Sequence, residues 1–155
     1  MTKSLFIFGL GYSGLEIAQL AKTEGWTVAG TCRSAEKAAR LHEGGIEAHV
    51  FDGTVPLPAP LAAAAFGDIS HVLCTIAPGR AGDPALRLCG PLLKQARWLG
   101  YLSTTGVYGD HGGGWVDEDT PPNPGQPRSV ERLAAERGWQ AMALEAGVRL
   151  DIFRL

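Results

Sequence analysis

Apolar positions fall into short continuous runs that alternate with stretches where they recur every three or four residues, and this alternation predicts the elements. Ser4-Leu-Phe-Ile-Phe8 is a strand-like run of aromatic and branched residues; glycines follow at once, and then Leu15, Ile17, Ala18, Leu20 and Ala21 repeat at helical spacing. The pattern reads strand, tight turn, helix. Thr27-Val-Ala-Gly-Thr31 is a second strand, and Ser34 caps a helix from Ala35 to about His42 that Gly44 and Gly45 terminate. Ile46 to Phe51 forms a third strand. Pro56, Pro58 and Pro60 then precede the alanines at 62–65, read as a loop and a short helix. His71-Val-Leu-Cys-Thr-Ile76 is a fourth strand, and Leu86, Cys89, Leu93 and Ala96 repeat as on a helix, with Gly90-Pro91 marking a kink or a late start. Leu99 to Ser103 is a fifth strand. A loop from Gly106 to Gln126, rich in glycine, proline and acidic residues, leads to a helix from Pro127 to about Ala146 and a sixth strand, Val148 to Phe153.

Strands alternating with helices imply a parallel sheet covered on both faces, because right-handed crossovers place helices on each side. The predicted fold class is α/β: a doubly wound Rossmann sheet with strand order 3-2-1-4-5-6, one nucleotide-binding domain over residues 1–155. No linker, charged tail or repeat interrupts it.

Composition narrows the function classes. With 45% hydrophobic and 19% charged residues, and 14 basic against 16 acidic side chains, the 155-residue chain has the make-up of an ordinary soluble domain. It carries no broad positive field, which argues against nonspecific binding to nucleic acid or to an anionic membrane but leaves room for a small charged ligand. The apolar run at the amino end stops at Gly9, too short for a signal core or a membrane span, so the expected address is the cytoplasm. Cys32, Cys74 and Cys89 lack CxxC spacing, so neither a disulfide framework nor a four-cysteine zinc site is available, and each reads as a small buried hydrophobe. The four histidines are dispersed and suggest no metal site.

Gly9-Leu-Gly11-Tyr-Ser-Gly14 matches G-x-G-x-x-G directly after a strand and at the start of a helix, the context its mechanism requires. Gly9 permits the tight turn, Gly11 lets backbone approach a pyrophosphate at the helix amino end, and Gly14 allows close packing of helix on strand. The competing reading is a plain structural turn. Tyr12 and Ser13 inside the motif, and Ala77 just past the fourth strand, complete the expected cofactor contacts. An acidic residue at the end of the second strand would hold the adenosine ribose of NAD; this chain instead reads Thr31-Cys-Arg-Ser34. Arg33 and Ser34 therefore stand where a 2′-phosphate needs neutralising, and the expected cofactor is NADP, with NAD possible. The competing reading of Arg33 is a solvated surface arginine. Asp52 either accepts from the adenine amino group or caps a turn.

Together with Gly9 to Gly14, the segments Leu102-Ser-Thr-Thr-Gly-Val-Tyr-Gly-Asp110 and Val116-Asp-Glu-Asp-Thr-Pro-Pro-Asn-Pro124 resemble the extended short-chain dehydrogenase/reductase superfamily, its NAD(P)-dependent epimerase/dehydratase group. The resemblance runs in order along nearly the whole chain. It implies that Thr104, at the end of the fifth strand, hydrogen-bonds a reacting oxygen, and that Tyr108 packs beneath the site. It also implies a Y-x-x-x-K pair on the next helix, and here the chain departs: Arg128 falls at the tyrosine position and Arg132 at the lysine position. Arginine holds its proton throughout the range in which proteins survive, so Arg128 cannot act as the general acid/base. The chain resembles the atypical branch that keeps the cofactor motif and loses the tyrosine. Two readings of the arginines stay open, an anion-binding pair facing a shared pocket or surface ion pairs with Glu131 and Glu136. His111, in a glycine loop, is a further proton donor or simply exposed.

The superfamily's smaller carboxyl-terminal substrate domain is absent from these residues; the chain is either a minimal cofactor-binding domain or part of a longer protein. Taken as the whole protein, it would place the apolar sixth strand at a sheet edge and predicts a homodimer. The expected partner is a small-molecule substrate, anionic if the arginines bind it. Two functions are carried forward: an NADP-dependent oxidoreductase or epimerase-type enzyme with a non-standard proton donor, and a non-catalytic NADP-binding redox sensor or regulator.

Overall fold

A computed structural model describes residues 3–58 and 70–155. Six parallel strands form one sheet in the order β3-β2-β1-β4-β5-β6: β1 (Ser4–Phe8), β2 (Thr27–Cys32), β3 (Glu47–Val50), β4 (His71–Cys74), β5 (Trp98–Ser103) and β6 (Arg149–Arg154). The helices are α1 (Tyr12–Thr23), α2 (Ala35–Glu43), α3 (Pro84–Leu93) and α4 (Pro127–Ala146), with a 3₁₀ turn at Thr105–Tyr108. The sequence-derived strand order holds. The loop and short helix expected at 56–65 fall partly at 59–69, outside the described residues.

Alternation along each strand sorts side chains onto the two faces. Phe6 and Phe8, with Val72, Cys74, Leu99 and Tyr101, pack against Ala85, Cys89 and Leu93 of α3 and Ala135, Trp139 and Met142 of α4. Leu5 and Ile7, with Val28 and Leu73, pack against Ala18 of α1 and Ala38 and Leu41 of α2. All of β1 is buried, as expected for a central strand of a parallel sheet. The three cysteines are free and buried.

Helix starts follow local chemistry. The Ser34 hydroxyl accepts from the Lys37 N–H at 3.3 Å, and the Asp83 carboxylate accepts from the Leu86 N–H at 3.0 Å just ahead of Pro84. The late start considered at Gly90-Pro91 is therefore corrected: α3 begins at Pro84, and Pro91 lies inside its last turn. Gly147, in the left-handed region at φ 65°, ends α4 and turns the chain into β6.

Candidate functional site

A cleft of about 700 Å³ opens at the carboxyl ends of β1 to β4, where the strand order reverses between β1 and β4. In open α/β sheets this switch point is the place where ligands bind. Its floor is the glycine loop. Gly9 sits at φ 96°, its N–H donates to the Thr31 hydroxyl at 2.9 Å, and its carbonyl accepts from the Thr75 hydroxyl at 2.6 Å. The loop is thus fastened to β2 on one side and to the end of β4 on the other. A Cβ on Gly9 would lie 2.7 Å from the Thr75 hydroxyl oxygen, and one on Gly14 would lie 2.2 Å from the Gly9 carbonyl oxygen, so both positions need glycine for space. At Gly11 a Cβ would meet nothing within 4 Å. No side chain caps the N-terminus of α1, and its first amide groups are available to an anion. Tyr12 and Ser13 are exposed on that first turn. These features fit a dinucleotide whose pyrophosphate rests on α1.

The walls carry the remaining expected contacts. Arg33, Ser34, Asp52 and Ala77 all line the cleft. Lys37, one helical turn beyond Ser34, and Arg87 on α3 line it as well, so three cations and one carboxylate face the same space. Asp52 behaves as the turn-capping alternative supposed: its Oδ1 accepts from the Thr54 N–H at 2.8 Å and the Thr54 hydroxyl at 2.6 Å. The hydroxyl bond first, then the backbone bond, holds its carboxyl below the usual carboxylate range. On the β4 side, Gly79 and Gly82 exchange backbone hydrogen bonds at 3.3 and 2.8 Å, folding residues 79–82 into a tight turn at the cleft mouth.

Thr104, Arg128 and Arg132 are not among the cleft-lining residues. Thr104 lies just past β5 and caps the 3₁₀ turn, its Oγ1 accepting from the Gly106 N–H at 3.2 Å. Its hydroxyl hydrogen has no acceptor among the described residues. Arg132 donates to the Leu102 carbonyl at 2.7 Å, with its guanidinium 5.7 Å from the centre of the Tyr101 ring. Arg128, one turn earlier on α4, is exposed. The supposed surface pair with Glu136 is corrected. Glu136 is 1% exposed; it accepts from the Ser103 hydroxyl and is bridged by Arg154 at 2.8 and 3.1 Å. Arg154 also lies over the buried Tyr108 ring, 4.8 Å from its centre. His111 is exposed, with Nε2 3.1 Å from the Tyr108 carbonyl oxygen.

Sequence reasoning missed Thr31 and Thr75 as fasteners of the glycine loop, Lys37 and Arg87 as cleft cations, and Glu136–Arg154 as a buried pair. Lys37 alone carried a local signal, three residues from the predicted cap. Among the described residues no group of three histidine, cysteine or acidic side chains could hold a metal ion, and no helix is long and apolar enough to cross a membrane.

No family model matches the chain, and no curated protein does. Solved structures do. A functionally unknown conserved protein from Silicibacter pomeroyi DSS is 36% identical, with a TM-score of 0.83 over 99% of this chain and 53% of its own. UDP-glucuronic acid 4-epimerase from Bacillus cereus, in complex with NAD, is 18% identical, with a TM-score of 0.71 over 97% and 56%. A short-chain dehydrogenase/reductase superfamily protein from Agrobacterium tumefaciens, with bound NAD, is 20% identical, with a TM-score of 0.69 over 97% and 48%. The last two share the fold. The chain spans about half the length of each of these structures.

Proposed function

We propose that this chain is the dinucleotide-binding part of an atypical short-chain dehydrogenase/reductase, an oxidoreductase or epimerase-type enzyme that takes NADP in preference to NAD. One observation carries the reading: a cleft at the sheet's switch point has a glycine loop and an uncapped helix N-terminus on its floor, and Arg33, Ser34 and Lys37 on one wall. Fold relatives that hold NAD support the dinucleotide, and the basic wall with no acid at the end of β2 supports the 2′-phosphate. A nicotinamide dinucleotide, when bound, supplies hydride exchange with a carbon bearing oxygen.

The chain's own residues bind and polarise. The Thr104 hydroxyl, whose hydrogen has no acceptor among the described residues, donates to the substrate oxygen on which charge develops. Arg132 is fixed against the end of β5 and, with Arg128 one turn away, attracts an anionic group of the substrate. Neither arginine gives up a proton, so the acid/base is another group: His111, a substrate group, water or a residue outside these 155.

Steady-state turnover of NADPH over a panel of acidic carbonyl substrates tests the catalytic half of this reading. Thr104→Val should lower kcat by about 10²-fold with little change in KM, because it removes a contact to charge that develops in the transition state. Arg128→Ala should chiefly raise KM for acidic substrates. Absence of turnover with any of them, while NADPH still binds, would leave the redox sensor as the function; that second reading is favoured by Arg128 standing where the superfamily places its tyrosine.

A further inference from the structure

Arg87 is the one cleft-lining cation on the α3 side, facing the wall that carries Arg33 and Lys37. It is the fourth residue of α3, and its Nη2 donates to the Gly53 carbonyl at 2.9 Å. The guanidinium therefore ties α3 to the loop that follows β3. Gly53 itself adopts φ 81°, and a Cβ there would come within 3.0 Å of the Pro84 Cβ, so the loop and the start of α3 are in contact at this end of the cleft. Asp52 precedes Gly53. Its Oδ1 is occupied by Thr54, whereas Oδ2 has no partner among the described residues, and Asp52 lines the cleft.

β3 stands two strands from β1, about 10 Å across the sheet. A dinucleotide with its pyrophosphate on α1 therefore brings its adenine, not its nicotinamide, to the Asp52–Gly53–Arg87 end. Adenine offers a flat π-face and an exocyclic amine. A planar, weakly hydrated guanidinium stacks on such a face, and a carboxylate oxygen accepts from such an amine. Tethering by the Gly53 carbonyl fixes the guanidinium before the ligand arrives, which lowers the entropy lost on binding.

We infer that Arg87 is the adenine-stacking wall of this cleft, pre-positioned by the Gly53 carbonyl, beside the adenine-amine acceptor that the sequence already offers at Asp52. This rests on the dinucleotide reading above. Under it the cations divide the work. Arg33 and Lys37 answer the 2′-phosphate, so they matter only for ligands that carry one. Arg87 answers the base, so it matters for every adenine nucleotide.

Calorimetric titrations of NADPH, NADH and ADP against the wild type, Arg87→Ala and Arg87→Lys test the division. Arg87→Ala should weaken all three ligands by a common factor of about 3 to 20, the range of a guanidinium on an aromatic face. Arg87→Lys keeps the charge and loses the plane, and should recover little of that loss; thermal unfolding of both variants checks that the fold is intact. Losses confined to NADPH would make Arg87 a phosphate ligand and overturn the inference. Full recovery by lysine, or unchanged affinities in Arg87→Ala, would overturn it too. A wild type that binds none of the three ligands would instead overturn the dinucleotide reading, and the inference with it.

Discussion

At His71 an imidazole is wedged between Trp26 and Trp98, with ring centroids 4.8 and 5.7 Å away, and its Nδ1 lies 2.7 Å from the Ser70 hydroxyl. Burial lowers its pKa from 6.5, with the Arg97 charge adding a smaller push in the same direction. His49 is lowered as well, chiefly by burial. A histidine whose folded pKa is depressed contributes stability that is present above 6.5, because both states are then neutral. As pH falls below 6.5 the unfolded chain binds the proton first, and stability is lost toward the folded pKa. The thermal midpoint should therefore fall on acidification from about pH 7 to about pH 5.5, and His71→Phe should fall less steeply. Equal slopes for wild type and His71→Phe in a calorimetric pH series would contradict this. At the same scale, Arg33 and Ser34 were legible in the sequence because their position relative to Gly14 fixes where they stand. Lys37 was signalled only by its closeness to the Ser34 cap and Arg87 not at all, because which way a helical side chain points into a cleft depends on how the helix docks on the sheet.

Among elements, α4 is fixed to the sheet by a charge. Glu136 reaches the Ser103 hydroxyl at the end of β5 and Arg154 at the end of β6, and Arg154 covers Tyr108 of the 3₁₀ turn. Thr104 lies between Ser103 and that turn, so its placement depends on this pair. Glu136→Ala leaves a largely buried guanidinium unpaired and should cost about 3–5 kcal/mol in urea unfolding, whereas replacing both partners by apolar residues should restore much of it. A loss under about 1 kcal/mol, the size of an exposed pair, would contradict the buried assignment. One of the two readings left open by local spacing placed Glu136 in a surface pair with the arginines of its own helix. Its true partner lies on another strand, brought within reach by the β5–β6 pairing that matches Ser103 with Arg154, and nothing in the neighbouring sequence encodes that. The reverse holds for α3: Asp83-Pro84 is a complete local start signal, and Gly90-Pro91 left a kink or a late start open only because proline interrupts helices more often than it is carried within them.

For the whole molecule, the topology was readable because it follows from alternation. Short apolar runs between amphipathic stretches leave a parallel sheet as the arrangement that buries both strand faces, and right-handed crossovers then fix the strand order. The cleft follows from that order, since the helices after the paired strands β1 and β4 leave to opposite faces of the sheet with the glycine loop beneath. On the proposed reading, its basic wall sets NADP apart from NAD. A charge-assisted contact to a phosphate contributes on the order of 1.5–3 kcal/mol, enough to separate the two cofactors by roughly tenfold or more. The most direct measurement is a pair of calorimetric titrations of the wild-type protein with NADPH and NADH, repeated with Arg33→Asp. NADPH should bind more tightly than NADH by at least about tenfold, with the preference inverted in Arg33→Asp. Equal affinities for the two cofactors, or a preference untouched by Arg33→Asp, would contradict it.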